Sequence, residues 1–584
     1  MSSKATPPYS WTRASRPAST ISGASLSPRT DLDPTTLAVL KGSLEQITDE
    51  MDSAYATAAF SPIISDALDR ASGIYDGASG EVIAQGSTGL PIFIGVMQFT
   101  VQAVTSVLDL EPGDVCIVND PFTGGTHLMD VKLVAPYHGP DGEVLFYLAN
   151  TGHWPDIGGM SPGGITSTAT ETYQEGVRVP PMLLCRGGVV NEELIELLLA
   201  NIRGKPSDRR GDLAAQLAAL RLGAARLDEL VNRFGVDLLR AAVGEMNQRA
   251  EALMRERIRA IPDGTYSAID YMDNDGITDE PFAVDLDIVV SDGTMTFDFS
   301  RCREEVDGPM NCPISSTMTA CLIGLKHIFP DIPVNGGCLR PLEFRVPEGS
   351  FLNPTFPKPV AACTTEAPQR IIDNIFTALA DVVPNPVPAP CFSTGSLHAI
   401  TGRDAEGYTF TFFASTGGGY GGSVRHDGLI NGATTISVAL TPGLELQEQR
   451  FPLRYRRYAI RENSEGPGVH RGGPGTEISI EFLADRGKVS VMGDRAKFGA
   501  PGAKGGGSGA PADHSLVLGG VEWRPPMGAK AENVPLRRGD ILHLRTPGGG
   551  GWGPAQDRDR AAVGRDIERG YITAARAWTE YGLM

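Results

Sequence analysis

The sequence is short of several features by which common classes of protein are recognised. Its eight cysteines are scattered, and no two form a Cys-x-x-Cys pair, which excludes a zinc ribbon or a thioredoxin-type dithiol. No apolar run approaches the ~20 residues of a membrane-spanning helix. The net charge of −19 argues against general nucleic-acid binding, because phosphate recognition needs clustered positive charge. Scattered cysteines in a large chain fit free thiols in a reducing compartment, so we expect a cytoplasmic protein.

Familiar catalytic motifs are also missing or incomplete. There is no Gly-x-x-x-x-Gly-Lys-Ser/Thr loop for ATP and no His-Glu-x-x-His helix. The segment 159–163 matches the Gly-x-Ser-x-Gly pattern of a nucleophile elbow, but Pro162 follows Ser161 and lacks the N–H that an oxyanion hole needs. The segment 273–276 only faintly resembles a calcium loop, since Phe282 stands where the bidentate acid belongs. We interpret both segments as turns.

Two segments that are interrupted by glycines contain the histidines and aspartates best suited to a metal or catalytic site. Asn119-Asp120-Pro121-Phe122-Thr123-Gly124-Gly125-Thr126-His127-Leu128-Met129-Asp130 is followed by Thr151-Gly152-His153-Trp154-Pro155-Asp156-Ile157-Gly158-Gly159. Imidazole and carboxylate together suit a divalent transition metal, and turns at the ends of strands are where folds present such groups. If His127 and Asp130 bind one ion, the backbone between them must turn, because strand residues three apart point to opposite faces. The alternative is that these are ordinary polar residues of loops.

Glycine and proline are abundant and set the expected architecture. The 584 residues include 70 glycines and 43 prolines, which implies many tight turns and roughly two to four domains. We predict a mixed α/β (α+β), multi-domain protein with a central helical segment and a β-rich C-terminal half. The predicted segments are a disordered N-terminal extension (1–32), an α/β metal-site region (33–190), a helical segment (191–262), an α/β region (263–404), a β-rich, glycine-rich region (405–555) and a C-terminal helix (556–584).

Three further features each have two interpretations. Residues 1–30 are basic and lack acids, as in an organellar transit peptide, but we favour a disordered extension. The glycine clusters near 417, 472, 505 and 549 fit tight turns between strands better than anion cradles. Cys312 and Cys363 stand near polar residues and could be nucleophiles, although a lone cysteine is more often a small buried hydrophobe.

The two segments, taken with several others, resemble the hydantoinase B/oxoprolinase family from about residue 33 to the end of the chain. The resemblance is carried by Asn119-Asp120-Pro121 with Gly124 to Asp130, Gly152-His153 with Asp156 to Gly163, Gln174 to Pro181, Asn201-Ile202-Arg203, Gly211 to Gln216, Asp307 to Asn311, Ile332 to Gly337, Arg461 to Gly468 and Thr546 to Gly553. Many ordered blocks make it specific for the family. It is much less specific for the substrate.

The resemblance implies a partner and a reaction. Members act with a hydantoinase A-type subunit that carries the ATP site. In hydantoinases, oxoprolinases and related lactamases, ATP phosphorylates a ring carbonyl oxygen, and water then opens the activated amide. In acetone and acetophenone carboxylases, the same pair of subunits activates a ketone and bicarbonate.

The resemblance also implies a divalent metal ion held by Asp66, His127, Asp130 and His153. Many relatives have Lys-Glu where this chain has Ser65-Asp66, and because aspartate is the shorter arm, Asp69 is the alternative acid. Two imidazoles and two carboxylates with an open position suit Zn, Mn or Fe, which would make water acidic enough to react near neutral pH.

Asp120 and Asp156 are the candidate catalytic residues beside this site. Either carboxylate could orient a ligand histidine from outside the metal's own ligand shell. The equally open alternative is that both aspartates cap turns.

Our first hypothesis is the B-type subunit of an ATP-dependent cyclic amidase, which performs metal-assisted hydrolysis of an amide that the partner has phosphorylated. The second is the corresponding subunit of an ATP-dependent ketone carboxylase. The third is a non-catalytic scaffold for the ATP-binding subunit. We expect a hetero-oligomer in each case.

Overall fold

The computed structural model describes residues 32–383 and 386–582. The predicted N-terminal extension, 1–32, thus lies outside the described residues except at its last position. The first helix begins where the sequence predicts. Asp33 caps it by accepting the backbone N–H of Thr36 at 3.0 Å, and Pro34 occupies its first turn.

The structure combines helices with four sheets. The helices of the described residues are α1 (Pro34–Ala58), α2 (Pro62–Ser65), α3 (Pro91–Thr105), α4 (Glu192–Asn201), α5 (Pro206–Phe234), α6 (Val236–Arg259), α7 (Ile314–Ile328), α8 (Gly336–Leu339), α9 (Ala367–Leu379), α10 (Leu444–Arg450), α11 (Arg560–Glu568) and α12 (Ala574–Tyr581). None of these helices has both the length and the apolar character needed to cross a lipid bilayer.

The N-terminal sheet is antiparallel, and its strands lie in the order β2-β1-β5-β4-β3-β6-β7. They are β1 (Arg70–Asp76), β2 (Val82–Gln85), β3 (Val115–Val118), β4 (Asp130–His138), β5 (Val144–His153), β6 (Met182–Arg186) and β7 (Val189–Val190). One face packs against α1 and α5, and the other packs against α3. Alternate side chains serve the two faces, since Ile117 and Leu133 enter one core while Cys116 and Val134 enter the other. Both faces of the sheet are therefore packed against apolar cores, and the candidate ligands lie at the ends of its strands.

The second sheet is mixed and has the order β11-β10-β9-β8. Its strands are β8 (Gly264–Met272), β9 (Phe282–Ser291), β10 (Thr294–Asp298) and β11 (Leu342–Arg345). Val284, Leu286 and Ile288 of β9 are buried, whereas the residues between them are only partly covered. This period of two is typical of a sheet with one face on a core, here the side on which α9 packs.

The C-terminal half contains two further sheets that enclose a core of their own. One has the order β13-β12-β16-β19 and the other the order β14-β15-β20-β17-β18. The strands are β12 (Leu397–Arg403), β13 (Thr409–Ala414), β14 (Leu453–Ile460), β15 (Thr476–Phe482), β16 (Arg486–Met492), β17 (Asp513–Leu518), β18 (Val521–Trp523), β19 (Lys530–Arg537) and β20 (Ile541–Arg545). Ile400 and Phe412 of the first sheet share one buried cluster with Ile478 and Leu544 of the second. The predicted β-rich C-terminal half is thus built as one sheet packed on another.

The glycine clusters near 417, 472 and 549 differ from the predicted turns between strands, whereas the cluster near 505 includes a turn at Lys504 and Gly505. Their segments lie side by side and are joined backbone to backbone: Gly473 N–H donates to Tyr420 O at 2.8 Å, and Gly549 N–H donates to Gly473 O at 3.0 Å. A side chain at Gly549 would overlap the Tyr420 carbonyl, and one at Gly472 would overlap the Gly549 carbonyl. Glycine is needed here for close approach, and these N–H groups are already bonded, so they cannot cradle an anion.

The C-terminal segment also differs from the prediction. Two short helices, α11 and α12, replace the single predicted helix, because Gly570 has a φ of +70° that ends the first one. The six-segment division of the chain stays a prediction. One buried apolar cluster draws side chains from Ala71 to Met492, so the described core is shared across the predicted boundaries.

Candidate metal centre

Strand order brings the candidate ligands to one end of the N-terminal sheet. Asp130 opens β4 and pairs with His153, which ends β5. The next strand across, β1, begins at Arg70, which pairs with Gly152. Because neighbouring strands are antiparallel, the start of β4, the end of β5 and the start of β1 meet at the same edge.

His127, Asp130 and His153 form a compact, buried cluster. The Asp130 Oδ1 atom lies 3.1 Å from His127 Nε2 and 3.2 Å from His153 Nδ1. The two imidazole centroids are 5.2 Å apart. The potential ligand atoms of the three residues lie within 4.8 Å of one another, and among the described residues these form the one group of three or more such side chains.

The loop before β4 turns in the way that shared ligation requires. Asp130 N–H donates to His127 O at 3.2 Å, which folds His127 back beside the carboxylate. Asn119 braces this loop, since its amide nitrogen donates to Leu128 O at 2.8 Å and its amide oxygen accepts the Val179 N–H at 2.6 Å. No local feature of the sequence indicates this role for Asn119, although it opens the conspicuous motif.

A buried glutamate fixes the orientation of His127. His127 Nδ1 lies 3.1 Å from the carbonyl oxygen of Ala361, while His127 Nε2 faces Asp130 Oδ1 at 3.1 Å, so the ring is held between two oxygen acceptors. Glu175 Oε1 accepts the N–H groups of Val360 and Ala361 at 2.8 and 2.7 Å. Glu175 thereby holds the segment whose Ala361 carbonyl faces the His127 ring. Glu175 lies within one of the blocks that resemble the family, but no local feature of the sequence indicates where its side chain points.

The electrostatics favour an ionised Asp130. Burial acts to raise the pKa of Asp130, but His127, His153 and Lys132 outweigh it and hold the pKa well below its usual range. Lys132 is itself buried and donates to Asp130 O at 3.0 Å and to Thr126 Oγ1 at 3.1 Å. Burial acts to lower the pKa of His127, yet the carboxylate of Asp130 raises it above the ordinary value. The cluster is thus a strongly polar site within an apolar surround.

The structure brings Asp69, and not Asp66, beside this cluster. The Asp66 carboxylate lies 3.3 Å from Arg450 Nη1 and is 30% exposed. Neither Asp66 nor Asp69 belongs to the group of clustered ligand atoms, but only Asp69 contacts it. The backbone of Asp69 accepts the His153 N–H at 3.0 Å. Burial raises the pKa of Asp69 to about 6, and His153, Asp130 and His127 all act on that carboxyl. Of the two acids that the sequence left open, the geometry therefore favours the alternative.

Asp120 and Asp156 are engaged in turns. Asp120 accepts the Phe122 N–H at 3.0 Å and pairs with Arg178 at 2.7 Å. Asp156 accepts the N–H groups of Gly158 and Gly163 at 2.9 and 3.0 Å and also pairs with Arg203. In the described structure neither carboxylate hydrogen-bonds to His127 or His153, so the contacts favour the turn-capping alternative. A catalytic role for either stays a prediction.

The remaining candidates from the sequence have ordinary surroundings. Cys312 and Cys363 are buried, and burial raises the pKa of each thiol, to about 12 for Cys312. Asp275 caps the turn of the faint calcium motif by accepting the Thr278 N–H at 2.7 Å. Ser161 of the elbow-like segment hydrogen-bonds to Glu532. Each group is satisfied by a structural contact or is unreactive at neutral pH.

The fold and the cluster define a class of protein for which solved structures exist. The structure superposes on the ATP-dependent caprolactamase of Pseudomonas jessenii with a TM-score of 0.87 and 28% identity, covering 94% of this chain and 96% of that one. It also shares its fold with acetone carboxylase at a TM-score of 0.85 and 18% identity, covering 94% of this chain and 79% of the other. Both are mixed α/β proteins of this architecture, as the sequence predicts.

Sequence comparison places the chain within that class. The profile of the family described as Hydantoinase B/oxoprolinase matches residues 33–555. The caprolactamase subunit beta of Pseudomonas jessenii is 30% identical over 572 residues, which is 95% of this chain and 96% of that subunit. The protein therefore belongs to the hydantoinase B/oxoprolinase family, and the predicted resemblance is confirmed.

Proposed function

We propose that this chain is the hydrolytic, B-type subunit of an ATP-dependent cyclic amidase, with a divalent metal ion held by Asp69, His127, Asp130 and His153. The observation that carries the proposal is the buried His127–Asp130–His153 cluster at the sheet end, in a member of a family that includes an ATP-dependent caprolactamase. ATP would be used on a hydantoinase A-type partner, in keeping with the missing phosphate-binding loop.

The residues present suit such an ion. Two imidazoles and two carboxylates are a donor set that Zn, Mn and Fe(II) accept. The contact of His127 Nδ1 with the Ala361 carbonyl directs Nε2 toward Asp130, and His153 Nε2 is buried without a hydrogen-bond partner in the described structure. A buried polar atom without a hydrogen-bond partner lowers stability, so a metal ion bound to His153 Nε2 would offset that cost.

The surrounding side chains prepare the site for attack by water. A bound divalent ion would supply Lewis acidity toward water and the substrate oxygen. Asp130 is kept ionised by Lys132 and the two histidines, and the His153 ring lies 4.6 Å from the Phe413 ring, which restricts solvent on that side. The balanced reaction converts one cyclic amide, one ATP and two molecules of water into the ring-opened carboxylic acid, ADP and phosphate.

A paired substitution decides which acid completes the metal site. We expect Asp69→Asn to lose most of the bound metal, as His153→Ala does, whereas Asp66→Asn retains it, because the Asp66 carboxylate faces Arg450. Element analysis of the purified chains measures this directly. Metal loss in Asp66→Asn with retention in Asp69→Asn would reverse the assignment, and no metal in the wild type would remove the site.

A further variant, His127→Ala, tests the reaction when the partner subunit is present. We expect cyclic-amide-dependent phosphate release without bicarbonate, and its loss in His127→Ala although the complex still assembles. Consumption of ATP that needs a ketone and bicarbonate would instead support the carboxylase alternative. The likeness to acetone carboxylase supports a shared fold only. Full activity in His127→Ala would favour the scaffold.

A further inference from the structure

The two carboxylate oxygens of Asp130 have different surroundings. Oδ1 is the atom that lies 3.1 Å from His127 Nε2 and 3.2 Å from His153 Nδ1. Oδ2 is in hydrogen-bond contact with the hydroxyl oxygen of Thr126, four residues earlier in the chain. One oxygen therefore faces the two imidazoles, and the other is already engaged by a hydroxyl group.

The direction of this hydrogen bond follows from the groups involved. An ionised carboxylate has no proton to donate, so the Thr126 hydroxyl must donate to Asp130 Oδ2. The Thr126 oxygen in turn accepts from Lys132 Nζ at 3.1 Å, and Lys132 also donates to Asp130 O at 3.0 Å. All three residues are completely buried, so bulk water does not compete for these contacts. The hydrogen bonds thus run in one direction, from Lys132 through Thr126 to Asp130.

The loop that carries Thr126 is held by two helices. Thr100 of α3 donates to Gly124 O at 2.6 Å, and Ser315 of α7 donates to Gly125 O at 2.5 Å. Both donors are themselves buried, so these contacts are also shielded from solvent. The backbone next to Thr126 is therefore fixed at two consecutive residues, and its hydroxyl has little freedom to leave the carboxylate.

The number of oxygens that Asp130 can offer matters to a metal ion. A carboxylate can bind an ion through one oxygen or through both. A catalytic site needs at least one position of the ion that no protein atom occupies, where water or substrate can bind. If the second oxygen of Asp130 were free, the carboxylate could rotate to bind through both and would fill one such position. The hydrogen bond from Thr126 opposes that rotation.

We propose that Thr126 is a positioning residue, which limits Asp130 to Oδ1 as its ligand atom and so keeps a position of the metal ion open for water or substrate. This inference rests on the proposed function, because it concerns the ion assigned there to the histidine and aspartate cluster. Thr126 acts through Asp130 and is not itself a ligand. A purely structural Thr126 would affect the stability of the fold without changing the ability of the ion to take another ligand.

Cobalt(II), added to the purified full chain, tests this assignment by its visible spectrum. Thr126→Val keeps the side-chain volume and removes the hydroxyl. We expect this variant still to bind Co²⁺ but with weaker visible absorption, because Co²⁺ absorbs less strongly as its number of ligands rises. Azide should bind the open position in the wild type and change the spectrum. We expect the azide affinity of Thr126→Val to be at least about tenfold lower, the usual size of effect when an outer partner of a ligand is lost.

Two further variants are the controls. Thr126→Ser retains a hydroxyl and should restore both the spectrum and the azide affinity. Thr166→Val changes another fully buried threonine, whose hydroxyl has no hydrogen-bond partner in the described structure, and should leave both unaltered. A wild-type spectrum and azide affinity in Thr126→Val would overturn the inference, even if the melting temperature fell. If Thr126→Val does not fold, Thr126→Ala, which leaves room for water beside Lys132, is measured in its place against the same expectations.

Azide binding and turnover together separate failure of this inference from failure of the proposed function. Weakened azide binding in Thr126→Val, with no turnover of cyclic amides by the complex, would sustain the inference and reject the proposed reaction. Turnover of cyclic amides, with equal azide binding in wild type and Thr126→Val, would sustain the proposed function alone. A wild-type chain that binds no Co²⁺, or that binds no azide once Co²⁺ is bound, would overturn the inference.

Discussion

Leu68 has a φ of +62°, an uncommon conformation for a residue with a side chain. The left-handed region costs a non-glycine residue about 1–2 kcal/mol, so surrounding contacts must hold it there. This turn follows α2 and leads directly into β1, which places Asp69 beside His153 and leaves Asp66 facing Arg450. Spacing along the sequence could not choose between two aspartates three residues apart, because the choice depends on a turn that no local residue preference predicts.

Glu175 is the residue whose influence on the metal centre is most open to a direct test. Glu175→Ala removes the acceptor for Val360 and Ala361 and frees the carbonyl that orients His127. We expect metal affinity to fall about 10- to 100-fold, as is usual when an outer partner of a ligand is lost. Competition with a chelator measures it.

Two companion substitutions give this prediction its controls. Glu175→Gln keeps an acceptor oxygen and should restore most of the affinity. Glu143→Ala changes an exposed glutamate at the far end of the β4–β5 hairpin and should leave affinity unaltered. Equal affinities for wild type and Glu175→Ala would show that the backbone holds His127 without this carboxylate.

At the scale of elements, the glycine segments of the C-terminal half are the least ordinary feature. Apart from a turn at Lys504 and Gly505, they are neither strands of a sheet nor turns. They are held by backbone hydrogen bonds between segments far apart in the chain, such as Gly466 N–H to Gly549 O at 2.8 Å. Composition revealed the glycines, but it could not reveal that each serves the close approach of another segment.

Substitution of one such glycine should destabilise the protein. Gly549→Ala would force a methyl group onto the Tyr420 carbonyl, and we expect a loss of about 1–3 kcal/mol in the free energy of unfolding. Gly564→Ala is the matched control, since Gly564 lies in α11 with open space around it and alanine is the better helix former. Denaturant unfolding compares the two. A Gly549→Ala protein as stable as Gly564→Ala would contradict the packing argument.

At the scale of the whole molecule, a buried network of charges joins parts that the sequence assigned to separate segments. Arg495, after β16, binds Asp270 of β8 at 2.6 Å and Asp373 of α9 at 3.0 Å. Asp494 beside it pairs with Arg370 at 2.8 Å and with Lys530, at the start of β19, at 2.9 Å. The second and third sheets are thereby tied together through groups that are almost fully removed from solvent.

Loss of one cation from this network should lower the free energy of unfolding of the protein. Arg495→Met keeps much of the side-chain volume but leaves Asp270 and Asp373 without their buried partner, and we expect a loss of about 3–5 kcal/mol. Arg301→Met is the control, because Arg301 is 53% exposed and its pairs with Asp285 and Asp287 should contribute less than about 1 kcal/mol. Equilibrium unfolding in guanidinium provides both values. Similar losses in the two variants would mean that the network contributes no more than a surface pair.

The sequence by itself determined the family, the mixed α/β class, the start of the first helix and the motif that holds His127, Asp130 and His153. These follow from local preferences and from ordered blocks of residues, which are properties of neighbours in the chain. The tertiary structure alone decided the position of Asp69 beside His153, the bracing by Glu175 and the close packing of the glycine segments. Each depends on contacts between residues distant in sequence, for which strand order and packing, and not local spacing, set the distances.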